Sequence, residues 1–196
     1  MKVSICIPCH DRMHANCGIS LAQLCLRSHA VIHDVAVASG TYLPPIRNSL
    51  AMAALANKEI THILWIDSDM GFPGDALERL SAHDRGIVGI NYARRLVPSC
   101  PTAMKDGKAY YRGKGLEHVD HVGFGLLLMD VGVFLDLERP YFHFEQAGDT
   151  YTGEDVLFCR MMKAIGIPVY VDNDLSQQVL HGGYPLPQQP TGGRYG

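Results

Sequence analysis

HILWIDSDMGF, residues 62–72, runs four large apolar residues, Ile63, Leu64, Trp65 and Ile66, straight into two carboxylates, Asp67 and Asp69, with only Ser68 between them. A short, nearly continuous apolar run bounded by polar residues is the pattern of a strand covered on both faces. Such strands belong to sheets sandwiched between helices, and the flanking sequence supplies both. Upstream, KVSICIPC (2–9) and VIHDVAVAS (31–39) read as strands. The segment from Met13 to His29 places Leu21, Leu24, Cys25 and Ser28 at helical spacing, and PPIRNSLAMAALANK (44–58) opens a helix with prolines. Downstream, PGDALERLSAH (73–83) and GIVGINYA (86–93) add another helix and strand. Strand and helix thus alternate from the N-terminus, which predicts an α/β fold with a mostly parallel central sheet and helices on both faces.

The second half adds smaller antiparallel features. Asp106-Gly107 between strand-like arms predicts a hairpin within AMKDGKAYY (103–111). HVDHVGFGLLLMDVGVFLDL (118–137) reads as a strand through Met129 and then a short helix capped by Asp130. GEDVLFCRMMKAIG (153–166) is an amphipathic helix with acids in its first turn and Gly166 just past its end, and IPVYVD (167–172) is a last strand. Residues 1–183 are expected to form one domain. Residues 184–196, rich in Pro, Gly and Gln, are expected to be a flexible tail.

Composition narrows the function. The 196 residues suit one domain with a substantial core, and a net charge of -3 supplies no broad basic field for nucleic acid. The N-terminal apolar run is too short for a signal peptide and no stretch approaches a membrane span, so a cytoplasmic protein is expected. Cys6 and Cys9, with Cys17, His10 and His14 nearby, raise the question of zinc. Three residues apart on a strand, Cys6 and Cys9 point to opposite faces, which favours ordinary core thiols.

Asp67 and Asp69 follow a strand of the parallel half, and in open α/β sheets ligands bind at the carboxyl ends of strands. Two acids so close repel unless a cation neutralises them, and oxygen donors suit Mg²⁺ or Mn²⁺. The bland alternative is capping of the helix near Pro73, for which one acid would suffice. Glu154 and Asp155 open a helix, where acids also simply offset the dipole, and His181 precedes two glycines in QQVLHGG (177–183). Arg47 in RNSLA (47–51) is placed to bridge a phosphate or to pair with Asp67, or is a plain surface residue. Tyr92, Arg94 and Arg95 combine an aromatic ring with phosphate-binding chemistry; Arg94, Arg95, Arg112 and Lys114 are also candidates for a local DNA-binding patch. The glycines of HVGFGLLL (121–128) mark a bulge or a close approach to the backbone.

Taken in order, Ile7-Pro8 on the first strand, the D-x-D of Asp67 and Asp69, the Gly123-x-Gly125 strand, Glu154-Asp155 and the closing His181 resemble a GT-A fold glycosyltransferase, similar to the family 2 type. The resemblance implies a single Rossmann-like GT-A domain that moves a sugar from a nucleoside-diphosphate sugar, with UDP the expected nucleotide, to an acceptor hydroxyl. It implies that Asp69 and His181 hold a Mn²⁺ or Mg²⁺ ion, with Asp67 reaching the ion or the ribose. The strand end from Pro8 through His10 to Asp11, together with Arg47 and Ser68, would contact the donor nucleotide. Asp155 would be the catalytic base and Glu154 would orient the acceptor, which is a glycan, a small molecule or a hydroxymethylated DNA base.

Two departures stand out. Many family 2 members carry an acid after the second strand to read the base, whereas this chain reads VASGTY (37–42). It also lacks the long C-terminal region that often shapes the acceptor site. Two other readings compete: a sugar-phosphate nucleotidyltransferase and a catalytically silent nucleotide-sugar-binding module. The first calls for a glycine-rich loop after the first strand, where this chain has PCHDRMH (8–14).

Overall fold

A computed structural model of the chain describes residues 1–95 and 99–188. Strand β1 (Val3–Cys9) leads through helix α1 (Ala15–Ser28) to β2 (Ile32–Ser39), and α2 (Leu43–Ala56) leads to β3 (His62–Ile66). A short β4 (Met70–Gly71), α3 (Ala76–Ala82) and β5 (Ile87–Gly89) follow. β6 (Met104–Lys105) and β7 (Lys108–Ala109) form the expected hairpin, with both Asp106 and Gly107 at positive φ. Next come β8 (Leu116–Val119), β9 (Leu126–Asp130) and a 3₁₀ turn whose N-cap Asp130 accepts from Gly132 N–H. The chain continues with the hairpin β10 (Glu145–Ala147) and β11 (Thr150–Thr152), then α4 (Glu154–Ala164), β12 (Val169–Asp172), α5 (Asn173–Ser176), β13 (Leu180–His181) and β14 (Tyr184–Pro185). β14 lies within the segment expected to be a loose tail; residues 189–196 of that segment lie outside the described residues.

The central sheet has seven strands in the order β2-β1-β3-β9-β5-β12-β8. β1, β2, β3, β5 and β12 run one way, as alternating strand and helix patterns predict, while β9 and β8 oppose them. β9 pairs with β3 on one side and β5 on the other, which makes the sheet mixed. Periodicity could not foresee this insertion, because β9 is as apolar as a parallel core strand.

Alternation along the strands divides the core between two layers. Cys6, Ile63, Trp65, Leu127 and Met129 face α2 and α4, whereas Ile5, Ile7, Leu64, Ile66, Leu126 and Leu128 face α1, α3 and α5. The first layer is strongly aromatic. Phe142 stacks on Phe158 at 5.2 Å and meets Trp65 edge-on at 5.5 Å, and Phe124 packs among them. This layer forms one wall behind the site.

Candidate functional site

The chain leaves β1 for β2 on one side and returns to β3 on the other, so the sheet has a topological switch point beside β1. Parallel register pairs Cys9 with Ser39 and Cys6 with Trp65, which brings the carboxyl ends of all three strands to one edge. There a cleft of about 210 Å³ is lined by Pro8, Cys9, His10, Gly40, Thr41, Leu43, Asp67, Ser68, Asp69 and Arg95. Of the predicted nucleotide contacts, Pro8, His10, Asp67 and Ser68 thus share one cavity with Asp69. Asp11 does not line it: its exposed carboxylate turns onto Arg12, whose hydrogen bond holds its pKa below the usual carboxylate range.

Neither acid of the D-x-D caps α3, which starts at Ala76 after Asp75. Asp67 continues the Ile63–Trp65 face, and this directs it toward α2. Arg47 of α2 donates from Nη2 to Asp67 Oδ1 (2.8 Å) and from Nε to Glu154 Oε1 (3.1 Å). Its guanidinium also lies over the rings of Trp65 (5.4 Å) and Phe124 (5.3 Å). Burial acts against a charged Arg47, but the two carboxylates outweigh it and raise its pKa. The Arg47 side chain is 2% exposed, so it is not a surface residue; it pairs with Asp67 and ties the D-x-D to the first turn of α4. Glu154 is also buried and turned onto Arg47. Burial raises its pKa despite that arginine. Beside it Asp155 is half-buried, and its Oδ1 accepts from Val156 N–H (2.8 Å).

Asp69 is brought to His181 by backbone pairing. β4 pairs antiparallel with β13, opposing Met70 to His181, and Gly182 N–H donates to Asp69 O at 3.0 Å. Gly182 has φ +58, a conformation that glycine adopts without a Cβ penalty. His181 Nε2 lies 3.3 Å from Asp69 Oδ2, and its Nδ1 lies 2.6 Å from Ala93 O. A carbonyl can only accept, so Nδ1 carries the hydrogen. Burial would lower the His181 pKa, but Asp69 and the Ala93 carbonyl raise it on balance; burial would raise that of Asp69, but His181 and Arg95 lower it. Arg95 completes the cluster, donating to Asp69 Oδ2 from Nη2 and lying 3.4 Å from His181 Nε2 through Nε.

Tyr92 links this cluster to the Gly123-x-Gly125 segment. Its ring meets His181 edge-on at 4.9 Å, and its hydroxyl accepts from Gly125 N–H (3.0 Å). A Cβ at Gly123 would overlap the Tyr92 hydroxyl, and one at Gly125 would fall 2.7 Å from its ring. The glycines therefore make room for a buried tyrosine. That places Tyr92 beneath the site and unavailable for stacking on a ligand. Burial, reinforced by Asp67 and Asp155, raises the phenol pKa well above its ordinary value. Arg112 and Lys114 line a separate, wider groove of about 1070 Å³ with Glu117, Asp174, Gln177 and Gln178, so the basic patch expected to unite them with Arg95 is divided between two cavities.

As these side chains stand, no three His, Cys, Asp or Glu groups among the described residues are arranged to hold a metal ion. Cys6, Cys9 and Cys17 are buried free thiols. The pair Asp69 and His181 nonetheless fits a divalent cation in its chemistry. One donor is a carboxylate oxygen and the other the imidazole Nε2, oriented by the commitment of the opposite nitrogen to a carbonyl. Their 3.3 Å separation is close to the roughly 3.0 Å between adjacent corners of an octahedron with bonds of about 2.1 Å.

Sequence reasoning did not find Gly40, Thr41 and Leu43, which line the cleft. Their position at the carboxyl end of β2 was the available signal.

The fold is that of the GT-A glycosyltransferases. The chain superposes on a crystal structure of A197 from STIV over 97% of its own length and 99% of that chain, with a TM-score of 0.64 at 14% identity. It matches GalNAc-T7, solved with UDP, GalNAc and Mn²⁺, over 94% of its length and 45% of that chain (TM-score 0.58, 12% identity). It matches S. aureus TarS 1-349 in complex with UDP over 89% of its length and 58% of that chain (TM-score 0.50, 15% identity). The chain therefore spans about half the length of these two larger chains. No family model and no curated protein matches the sequence. Among the described residues, no helix is long and apolar enough to cross a membrane.

Proposed function

We propose that the protein is a metal-dependent glycosyltransferase that moves a sugar from a nucleoside-diphosphate sugar to an acceptor hydroxyl. The observation that carries this reading is the pairing of Asp69 with His181 at the edge of a strand-end cleft that Asp67 also lines, Asp67 being tied through Arg47 to the helix that presents Asp155. The nucleotide and metal in the GalNAc-T7 structure and the UDP in the TarS structure add support from the fold.

In this reading Asp69 and His181 would hold Mn²⁺ or Mg²⁺, which would supply positive charge to the leaving diphosphate. Pro8, His10, Gly40, Thr41 and Ser68 form the walls against the nucleoside. Asp155 accepts the acceptor's hydroxyl proton as that oxygen bonds to the anomeric carbon and the bond from that carbon to the diphosphate breaks. The products are the glycosylated acceptor, the nucleoside diphosphate and a proton on Asp155. Arg47 and Glu154 are positioning residues: the arginine fixes Asp67 on one side and the first turn of α4 on the other. Exposed Tyr42, next in sequence to Thr41 of the cleft, packs edge-to-face with exposed Phe144 at 5.4 Å, and the pair offers an apolar surface for the acceptor's ring.

Calorimetric titration of UDP with and without Mn²⁺, on the wild type and Asp69→Asn, tests the reading. Binding that needs both the metal and Asp69 is expected. Equal UDP affinity in all four conditions would remove the metal site from the proposal, and no nucleotide binding at all would favour a silent scaffold.

A further inference from the structure

The Asp69 carboxylate is 4% exposed and carries its counter-charge in Arg95. Both contacts of that arginine fall on the atoms that a metal ion at this site would need. Nη2 donates to Asp69 Oδ2, and Nε faces His181 Nε2 at 3.4 Å. A divalent cation bound to Oδ2 and Nε2 would occupy the space between them and would repel the guanidinium. Arginine and metal are thus mutually exclusive occupants.

The two arginines of the site differ in how firmly they are held. Arg47 is 2% exposed, bonded to two carboxylates and enclosed by two aromatic rings. The Arg95 side chain is 60% exposed and lines the open cleft, so it can move from Asp69 into solvent once another cation takes its place on that buried acid, and still remain beside a ligand in the cleft. Its planar fork suits a diphosphate as well as it suits a carboxylate.

We propose that Arg95 is a resident cation that exchanges with the divalent ion: metal entry displaces it from Asp69, and the freed guanidinium then binds the donor's diphosphate. The proposal rests on the metal-dependent reading above and goes beyond it by making one residue both a competitor for the metal and a ligand for the donor. Without metal, Arg95 neutralises the buried acid; with metal, its charge becomes available to the anion. Metal binding and donor binding are then positively coupled through this side chain.

The test measures Mn²⁺ affinity from the electron paramagnetic resonance signal of the free ion, without nucleotide, in wild type, Arg95→Ala, Arg95→Lys and Asp69→Asn. UDP affinity is then measured at saturating Mn²⁺. Arg95→Ala should bind Mn²⁺ on the order of ten-fold more tightly than wild type and UDP on the order of ten-fold more weakly, within the range usual for coupled sites. Arg95→Lys, which keeps the charge but cannot reach both atoms with a fork, should fall between. Equal Mn²⁺ affinity in wild type and Arg95→Ala, with binding lost in Asp69→Asn, would overturn the exchange and leave the metal site intact. Failure of every variant to bind Mn²⁺, with or without UDP, would overturn both the exchange and the metal-dependent reading.

Discussion

Replacing Arg47 with Met keeps most of the side-chain volume and removes the charge that joins Asp67 to Glu154. In the native protein Nη2 and Nε lie 2.8 and 3.1 Å from the two carboxylates, and the Glu154 side chain is 7% exposed. Without the guanidinium, two acids face each other across an apolar gap floored by Trp65 and Phe124, and Glu154 has no water to replace its partner. Breaking such a buried pair from one side costs about 3–5 kcal/mol. At about 2–4 °C per kcal/mol for a chain of this size, the melting temperature at neutral pH should fall by about 6–20 °C. The loss should depend on pH in a defined direction. Burial already raises the Glu154 pKa, and Arg47 is the largest influence that lowers it, so the variant's folded-state pKa must rise further. The folded variant then holds a proton that the unfolded chain releases near pH ~4.3, so its stability falls as pH rises from that value toward the raised folded pKa. Thermal unfolding of wild type and Arg47→Met followed by circular dichroism at pH 5, 6, 7 and 8 would measure this, with the gap narrowest at pH 5. Arg47→Met with Glu154→Gln should recover part of the loss, since it leaves no buried charge at α4. A loss below about 1 kcal/mol that stays flat with pH would put Arg47 on the footing of a surface ion pair and refute the strut.

Asp155→Asn should leave UDP binding unchanged and slow sugar transfer by about 10²- to 10⁴-fold once an acceptor is in hand; near-normal turnover would give the proton to another group. Gly125→Ala should cost about 1–3 kcal/mol, because its Cβ would lie 2.7 Å from the Tyr92 ring and 3.0 Å from Met70 Sδ. Much of that cost should disappear in Gly125→Ala with Tyr92→Leu, as read by denaturant midpoints. Alkylation of the native protein at pH 8 should label Cys25 and Cys100 well before Cys6, Cys17 and Cys159. Burial pushes the Cys6 and Cys159 thiols up to about 12 and Cys17 to about 11, and mass spectrometry of the modified peptides would report the order.

Much of this architecture was legible in short stretches whose pattern has a single physical reading. The run Ile63 to Ile66 had to be a strand covered on both faces, and Asp106-Gly107 had to turn a hairpin, because in each case one backbone conformation satisfies the residues present. Placement of β9 was not legible. Its residues specify burial, and burial is equally well met by a parallel or an antiparallel neighbour, so direction is settled only when the chain closes between β3 and β5. The same distinction holds at the site. Asp67 and Asp69 announced a need for positive charge, since nothing else explains two acids at the end of such a strand. Arg47 was one of the partners the sequence offered for Asp67, but the pairing of Asp69 with Arg95 depends on a contact across 26 residues, and local pattern carries no record of that.

The outcome follows from alternation along the strand. Asp67, in phase with Trp65, meets a sealed layer and receives Arg47, which aromatic rings hold in place. Asp69 lies within the turn that Met70 N–H closes onto Asp67 O, where the short β4–β13 pairing delivers His181 and the open cleft admits Arg95. One acid is therefore paired with a cation that cannot leave without destabilising the fold, and the other with a cation that can. A structural D-x-D would need only the first arrangement. The second, a buried carboxylate beside the His181 imidazole whose other counter-charge stands in solvent, is the arrangement on which the proposed exchange with a divalent ion rests.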